Sequence, residues 1–268
     1  MNKQQQIVSI DVGTSKIKVV KYKHEQFYFE EYHRRELEYV ISRAIEKDYE
    51  AVLITGSGAA TIADEQLECL GNAILIYRLN ELECVANIIK HEGYSEGLVV
   101  NIGTGTSFLY YNKGEYQHVS GTGMGGGTFV GLAKRLLNLS DLSQMEKLAT
   151  RGSLEKVNMV INDIYTEKLG WLEEDITVAN FAKHSMAPED IALGIHSMVI
   201  EPIMSITKGI NHFKPMSTII FTGGVMNNHI MVSLVQKYAR FFHIQFIPYH
   251  NPSFGTALGA IEVFWEQN

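Results

Sequence analysis

A chain of 268 residues is long enough for one large domain or two modest ones, and 46% hydrophobic with 20% charged residues is ordinary globular composition. The net charge of -7 argues against a nucleic-acid partner, which needs clustered Lys and Arg, and no run approaches the ~20 uninterrupted apolar residues of a membrane span. A polar start that runs straight into a strand predicts no signal peptide, and two cysteines, Cys69 and Cys84, read as reduced thiols of a cytoplasmic protein without a membrane partner.

Residues 7–23 alternate apolar and polar around a break at Asp11-Val12-Gly13-Thr14-Ser15, which predicts strand, tight turn and antiparallel strand rather than a strand entering a helix. A third strand is expected over 27–32, a helix over 35–47, a strand over 51–55 ending at Gly56-Ser57-Gly58, and a helix over about 59–69. A strand at 73–77 and a helix at about 80–91 follow. The pattern then restarts: strand 98–102, a Gly/Thr turn, strand 107–112, strand 115–120, and a glycine-rich run 121–127 opening a helix at about 128–137. Two or three helices are expected between 142 and 214, then a strand at 217–222, a helix at 228–241, a short strand at 245–247 and a closing helix at 254–265. A β-turn-β opening followed by alternating helix and strand thus occurs twice, with no low-complexity linker between.

Four segments carry candidate chemistry. Asp11-Val12-Gly13-Thr14-Ser15 with Lys18 reads either as a plain hairpin or as a corner where backbone N–H groups and hydroxyls meet an anion. In the second reading Asp11 holds Mg2+ through water and Lys18 reaches the terminal phosphate. Asn101-Ile102-Gly103-Thr104-Gly105-Thr106-Ser107 repeats the logic, and two glycines among three hydroxyl residues exceed what a hairpin needs. This is not a Walker loop, which requires Gly-Lys-Ser/Thr opening a helix; two such corners match the phosphate clamp of actin-like kinases and ATPases. Gly121-Thr122-Gly123-Met124-Gly125-Gly126-Gly127 entering a helix is expected to offer free N–H groups and a positive dipole end to an anion. Gly223 and Gly224, after an apolar strand, suit an adenosine laid against the backbone or simply a tight turn with an Asn cap. Glu81 stands where a helix start projects a carboxylate, either as a base for an alcohol or as a favourable charge at the helix dipole. The histidines show no metal-ligand spacing and read as surface or satisfied core residues.

Taken together these motifs resemble the type II pantothenate kinases nearly end to end. Asp11-Val12-Gly13 with Lys18 resembles the family's first phosphate motif and 101–107 its second; Glu81-Leu82-Glu83-Cys84 is similar to its Glu-Leu-Asp-Cys segment. Residues 119–132 resemble its most distinctive run, Val-Thr-Gly-Thr-x-x-Gly-Gly-Gly-Thr-Phe. The resemblance implies an α/β fold of two ribonuclease-H/actin-like halves, 1–97 and 98–268 with a helical insertion, packed across a nucleotide-binding cleft. It implies ATP and Mg2+, phosphorylation of the pantothenate hydroxyl as the first step of coenzyme A biosynthesis, and a homodimer. Glu81 becomes the base, Asp11 the metal carboxylate, and Lys18 the phosphate cation. Gly13, Thr14, Ser15, Gly103, Thr104, Gly105, Thr106, Gly125, Gly126, Gly127, Gly223 and Gly224 become nucleotide contacts, while Thr104, Ser107, His118 and Gly121 face the acceptor. His118 stands where the family has an Arg, and a His lacks that fixed positive fork. A kinase for another small alcohol or sugar, or a regulator of the same fold with weak turnover, remains open. An iron–sulfur ATPase that activates 2-hydroxyacyl-CoA dehydratases would need more cysteines than Cys84 and Cys69.

Overall fold

A computed structural model describes residues 5–44, 49–63, 67, 74–139, 141–165 and 174–268. The Cα positions group into two compact units: residues 1–101, 108–119 and 248–268 form the first, 102–107 and 120–247 the second.

The first unit is built on five strands: β1 (Ile7–Val12), β2 (Lys16–Lys23), β3 (Gln26–His33), β4 (Ala51–Thr55) and β5 (Leu75–Arg78), in the order β3-β2-β1-β4-β5. β1 and β2 form the expected hairpin, with Asp11 opposite Lys18, and β1 and β4 run parallel, with Asp11 opposite Thr55. All six residues of β1 are buried, as for a strand covered on both faces. Val8, Ile10 and Val12 pack with Val40 and Ile41 of α1 (Leu37–Ala44) on one face. Ile7, Leu53 and Ala51 pack on the other with Cys84 of α2 (Glu81–Ala86) and with the closing helix (Gly255–Gln267, α9).

Two expectations change here. The helix expected over 80–91 is interrupted by one turn residue, Asn87, into α2 and α3 (Ile88–His91); ψ at Asn87 is -2°, and its side-chain amide shares Glu83 O with the ordinary helical N–H bond. Of the helix expected over about 59–69, Ala59–Thr61 form a 3-10 turn ending in extended Ile62 and Leu67 is helical; positions 64–66 and 68–73, Cys69 among them, lie outside the described residues.

Strands β6 (Glu96–Ile102), β7 (Thr106–Asn112) and β8 (Glu115–Thr122) join β11 (Ile219–Thr222) in a four-stranded sheet of order β11-β6-β7-β8. In the second unit, α4 (Gly126–Leu137) starts inside the glycine run, two residues earlier than expected. α5 (Leu142–Ala149), α6 (Leu154–Val157), α7 (Pro188–Phe213) and α8 (His229–Phe242) complete the helices. β9 (Met159–Val160) and β10 (Thr177–Ala179) form a small antiparallel pair that short, mixed segments did not announce. The strand expected at 245–247 reduces to one parallel bridge between Ile220 and Ile247.

α7 has the length and apolar composition of a membrane span, and 67% of its most apolar stretch is buried within the chain, so a core helix explains the pattern. The boundary expected near residue 97 is crossed by the closing helix: α9 packs on β1, β4 and α2, which carries 248–268 into the first unit.

Candidate functional site

The corner between β1 and β2 gathers three of the sequence-derived residues. Asp11 is 5% exposed at the end of β1, and Lys18 Nζ lies 3.6 Å from its Oδ2. Burial pushes the Asp11 carboxyl up, and the Lys18 ammonium opposes that shift. Gly13 makes the turn, its N–H donating to Lys16 O at 3.0 Å. A Cβ on Gly13 would stand 3.2 Å from Lys18 Nζ, so the ammonium lies directly over the turn backbone. Thr14 and Ser15 are exposed beside it.

Glu81 is the first residue of α2, whose start is fixed by Asn80: the Asn80 side-chain oxygen accepts from Leu82 N at 2.9 Å and Glu83 N at 3.2 Å. Glu81 is half-buried, and its carboxyl is held above the usual range first by burial, then by the negative charge of Asp11, with Lys18 opposing. The three groups therefore share one electrostatic environment. Cys84, one turn further along α2, is fully buried and its thiol is pushed up to about 12, mainly by burial. It is a packed apolar residue, not a nucleophile.

Sequence reasoning missed the floor beneath this corner. Gly56 has φ of +94°, and a Cβ there would meet the Asp11 carboxylate, with Val12 O at 2.7 Å and Val12 N at 2.8 Å. Gly58 N donates to Val12 O at 2.7 Å, and the Ser57 and Thr14 hydroxyls are 3.5 Å apart. A Gly-Ser-Gly after a strand parallel to β1 is the signal that could have been read this way.

In the second unit the two glycine-rich segments prove to be one interlocked structure. Gly126 N donates to Gly103 O at 2.7 Å and Gly127 N to Thr104 O at 2.8 Å. A Cβ on Gly125 would stand 2.8 Å from the Gly105 backbone, and one on Gly127 would stand 3.0 Å from Thr104 O. The expectation that Gly126 and Gly127 present free N–H groups to an anion is thus corrected: both donors are bonded within the protein, and the glycines let two backbones touch. Thr106 is corrected likewise. It is buried, and its hydroxyl donates to Met124 O at 2.7 Å, which ties the turn to the glycine run. Thr128 does the same from the helix side, donating to Gly123 O at 2.7 Å.

Open positions remain. Gly103 and Gly224 have no neighbour closer than 3.9 Å where a Cβ would be, and Gly123 has none within 4 Å. Gly223 has φ of +97° and turns the chain from β11 into the 3-10 segment Gly224–Asn227. Thr104 and Gly121 are exposed and Ser107 is half-buried.

His196 of α7 braces these loops from below. It is fully buried; Nδ1 donates to Ala192 O at 2.6 Å, and Nε2 accepts from the Asn228 amide at 3.3 Å. Asn228 caps α8 by accepting from Met231 N at 3.0 Å, and Phe129 of α4 meets the His196 ring edge-on at 4.6 Å. Burial drops the imidazole to about 4, so it is a neutral core histidine. His118 lies exposed on β8. Among the described residues no group of three or more His, Cys, Asp or Glu could hold a metal alone.

The fold defines the class. The activator of the 2-hydroxyisocaproyl-CoA dehydratase from Clostridium difficile with bound ADPNP shares it at a TM-score of 0.64 and 20% identity, covering 98% of this chain and 97% of that one. A ROK family glucokinase from Streptomyces griseus, in complex with glucose and AMPPNP, shares it at 0.59 and 12% identity over 96% and 98%. This is the actin-like fold of kinases and ATPases.

The Fumble family model matches residues 90–261, and the chain belongs to that family. Its relatives include type II pantothenate kinases: that of Bacillus anthracis is 30% identical over 71% of this chain and 72% of its own length. That of Bacillus cereus (strain ATCC 10987) is 29% identical over 87% and 88%, and that of Staphylococcus epidermidis 28% over 95% and 98%.

Proposed function

We propose that this chain is a pantothenate kinase, transferring the γ-phosphoryl group of ATP to the primary hydroxyl of pantothenate to give 4'-phosphopantothenate and ADP. The observation that carries the mechanism is the Asp11–Lys18–Glu81 cluster in the first unit: one buried carboxylate, one cation over a glycine turn, and one carboxylate of raised basicity at a helix start.

Glu81 accepts the hydroxyl proton as the oxygen attacks phosphorus, and its environment favours that step: partial burial and the charge of Asp11 both make it a stronger base than a solvated glutamate. Lys18 neutralises charge at the phosphate that sits on the Gly13 turn, with the Thr14 and Ser15 hydroxyls as further donors. Mg2+ supplies charge neutralisation and orientation of the phosphates. It commonly takes only one or two protein carboxylates beside water and phosphate oxygens, and a single buried Asp11 fits that donor set. In the second unit, open Gly103, Gly123 and Gly224 are where a ligand can approach backbone, with Gly223 and Gly224 suited to adenosine, and Thr104, Ser107 and Gly121 to phosphate or acceptor. Gly105, Thr106 and Gly125 to Gly127 hold that surface in shape. A cytoplasmic homodimer completes the reading; Tyr28 and Phe29, exposed on edge strand β3, are apolar surface that association would cover.

The dehydratase-activator reading has little support, since Cys84 is buried with its thiol pushed up to about 12 and the only other cysteine is Cys69. A sugar kinase is tested directly. Purified protein with ATP and Mg2+ is offered pantothenate and a panel of hexoses; phosphopantothenate alone is expected. Phosphorylation of a sugar with none of pantothenate would reassign the acceptor.

A further inference from the structure

The Gly56-Ser57-Gly58 turn touches the Asp11 corner at every point where the two segments meet. Gly56 carries the Asp11 carboxylate against its Cα, Gly58 N holds Val12 O at 2.7 Å, and Ser57 faces Thr14. The turn is in turn held by two arginines. Arg34 donates from Nη2 to Gly58 O at 3.4 Å and to the Thr61 hydroxyl, while its own backbone N–H donates to Ser15 O at 3.1 Å. Arg78 donates to Ala59 O at 3.0 Å and Ile62 O at 2.7 Å. Ala60 and Thr61 are exposed, so water could satisfy carbonyls here; a guanidinium fork adds fixed geometry instead. Arg34 grips both the turn and the corner.

We infer that the Gly56-Ser57-Gly58 turn is a platform that sets the position of Asp11, and that Arg34 is the positioning residue that fixes the platform to the corner. The inference rests on the phosphoryl-transfer reading of the corner, in which Asp11 faces Mg2+. Arg34 touches no substrate; it acts through Gly58, Val12 and Asp11. Residues that orient a metal-facing carboxylate are typically worth about 10- to 100-fold in metal affinity or activity.

The test is the Mg2+ concentration that half-saturates binding of a fluorescent, non-hydrolysable ATP analogue, read for wild type, Arg34→Ala, Asp11→Asn and the double variant. Arg34→Ala is expected to raise that midpoint about tenfold, and to add less than twofold in the Asp11→Asn background. A folded Arg34→Ala protein within twofold of wild type, or effects that multiply in the double variant, would overturn the inference. If Arg34→Ala does not fold, Arg34→Lys decides. It keeps the charge but loses the fork, and a shift of at least threefold is expected, whereas wild-type behaviour overturns the inference. Binding keeps the two proposals separable. Mg2+-dependent nucleotide binding without pantothenate turnover removes the assigned reaction and leaves this cycle readable; Mg2+-independent binding by wild type removes the inference itself.

Discussion

Gly259 and Gly209 are both helix-interior glycines, and the same substitution should act on them with opposite sign. At Gly259 in α9 a Cβ would lie 2.8 Å from the Cys84 carbonyl carbon and nearer still to its oxygen, against an ordinary contact of 3.4–4 Å. The obstacle is helical backbone, which cannot rotate away as a side chain would. α9 and α2 must therefore move apart by well over 1 Å, and overpacking of that kind costs about 3 kcal/mol at the upper end of its usual range. The gain in helix propensity returns about 1 kcal/mol, leaving Gly259→Ala roughly 2 kcal/mol less stable. Gly209 in α7 has nothing within 4 Å, so Gly209→Ala keeps only the gain and should be about 0.5–1 kcal/mol more stable. At about 2–4 °C per kcal/mol for chains of this size, thermal melts should separate the two by roughly 5–12 °C. Because α2 begins with Glu81, Gly259→Ala should also lower kcat more than nucleotide affinity. Melting shifts of the same sign, or Gly259→Ala as stable as wild type, would refute the close helix crossing.

His196 predicts a pH dependence. Its native value of about 4 lies below the ordinary 6.5, so the unfolded chain binds the proton first as pH falls. Stability from this residue is complete above pH 6.5 and is lost progressively as pH drops toward 4, by at most about 3 kcal/mol. Urea midpoints of wild type and His196→Gln should converge across that window; parallel curves would show that His196 is not held neutral. On β8, where the resemblance implies an Arg in place of His118, His118→Arg should raise pantothenate phosphorylation or leave it unchanged, as read by kcat/KM; a collapse would give His118 a role of its own.

The first corner was legible because a hairpin dictates its register: once Asp11-Val12-Gly13-Thr14-Ser15 is a turn, Asp11 must face Lys18 across the strands. Glu81 was legible as a helix start, since Asn80 is a strong cap. The glycines misled in a more instructive way. A run of five suggested anion donors, yet Gly125, Gly126 and Gly127 answer to the backbone of Gly103 to Gly105, a contact twenty residues away that no local pattern encodes. Gly56 was missed for the same reason, because its neighbour Asp11 arrives by parallel strand pairing. The break at Asn87 lies in a stretch that is helical by periodicity, where one side-chain amide competes for a helical carbonyl. The closing helix packs into the first unit with Gly259 letting it lie against the Cys84 backbone, a contact that no sequence boundary marks.

The central claim is that Glu81, raised in basicity beside Asp11 and Lys18, takes the proton from the pantothenate hydroxyl. Its most direct test is single-turnover phosphorylation of pantothenate by Glu81→Gln with ATP affinity measured in parallel. The rate should fall by about 10^2- to 10^4-fold with nucleotide binding nearly intact; turnover equal to wild type would remove Glu81 from the mechanism.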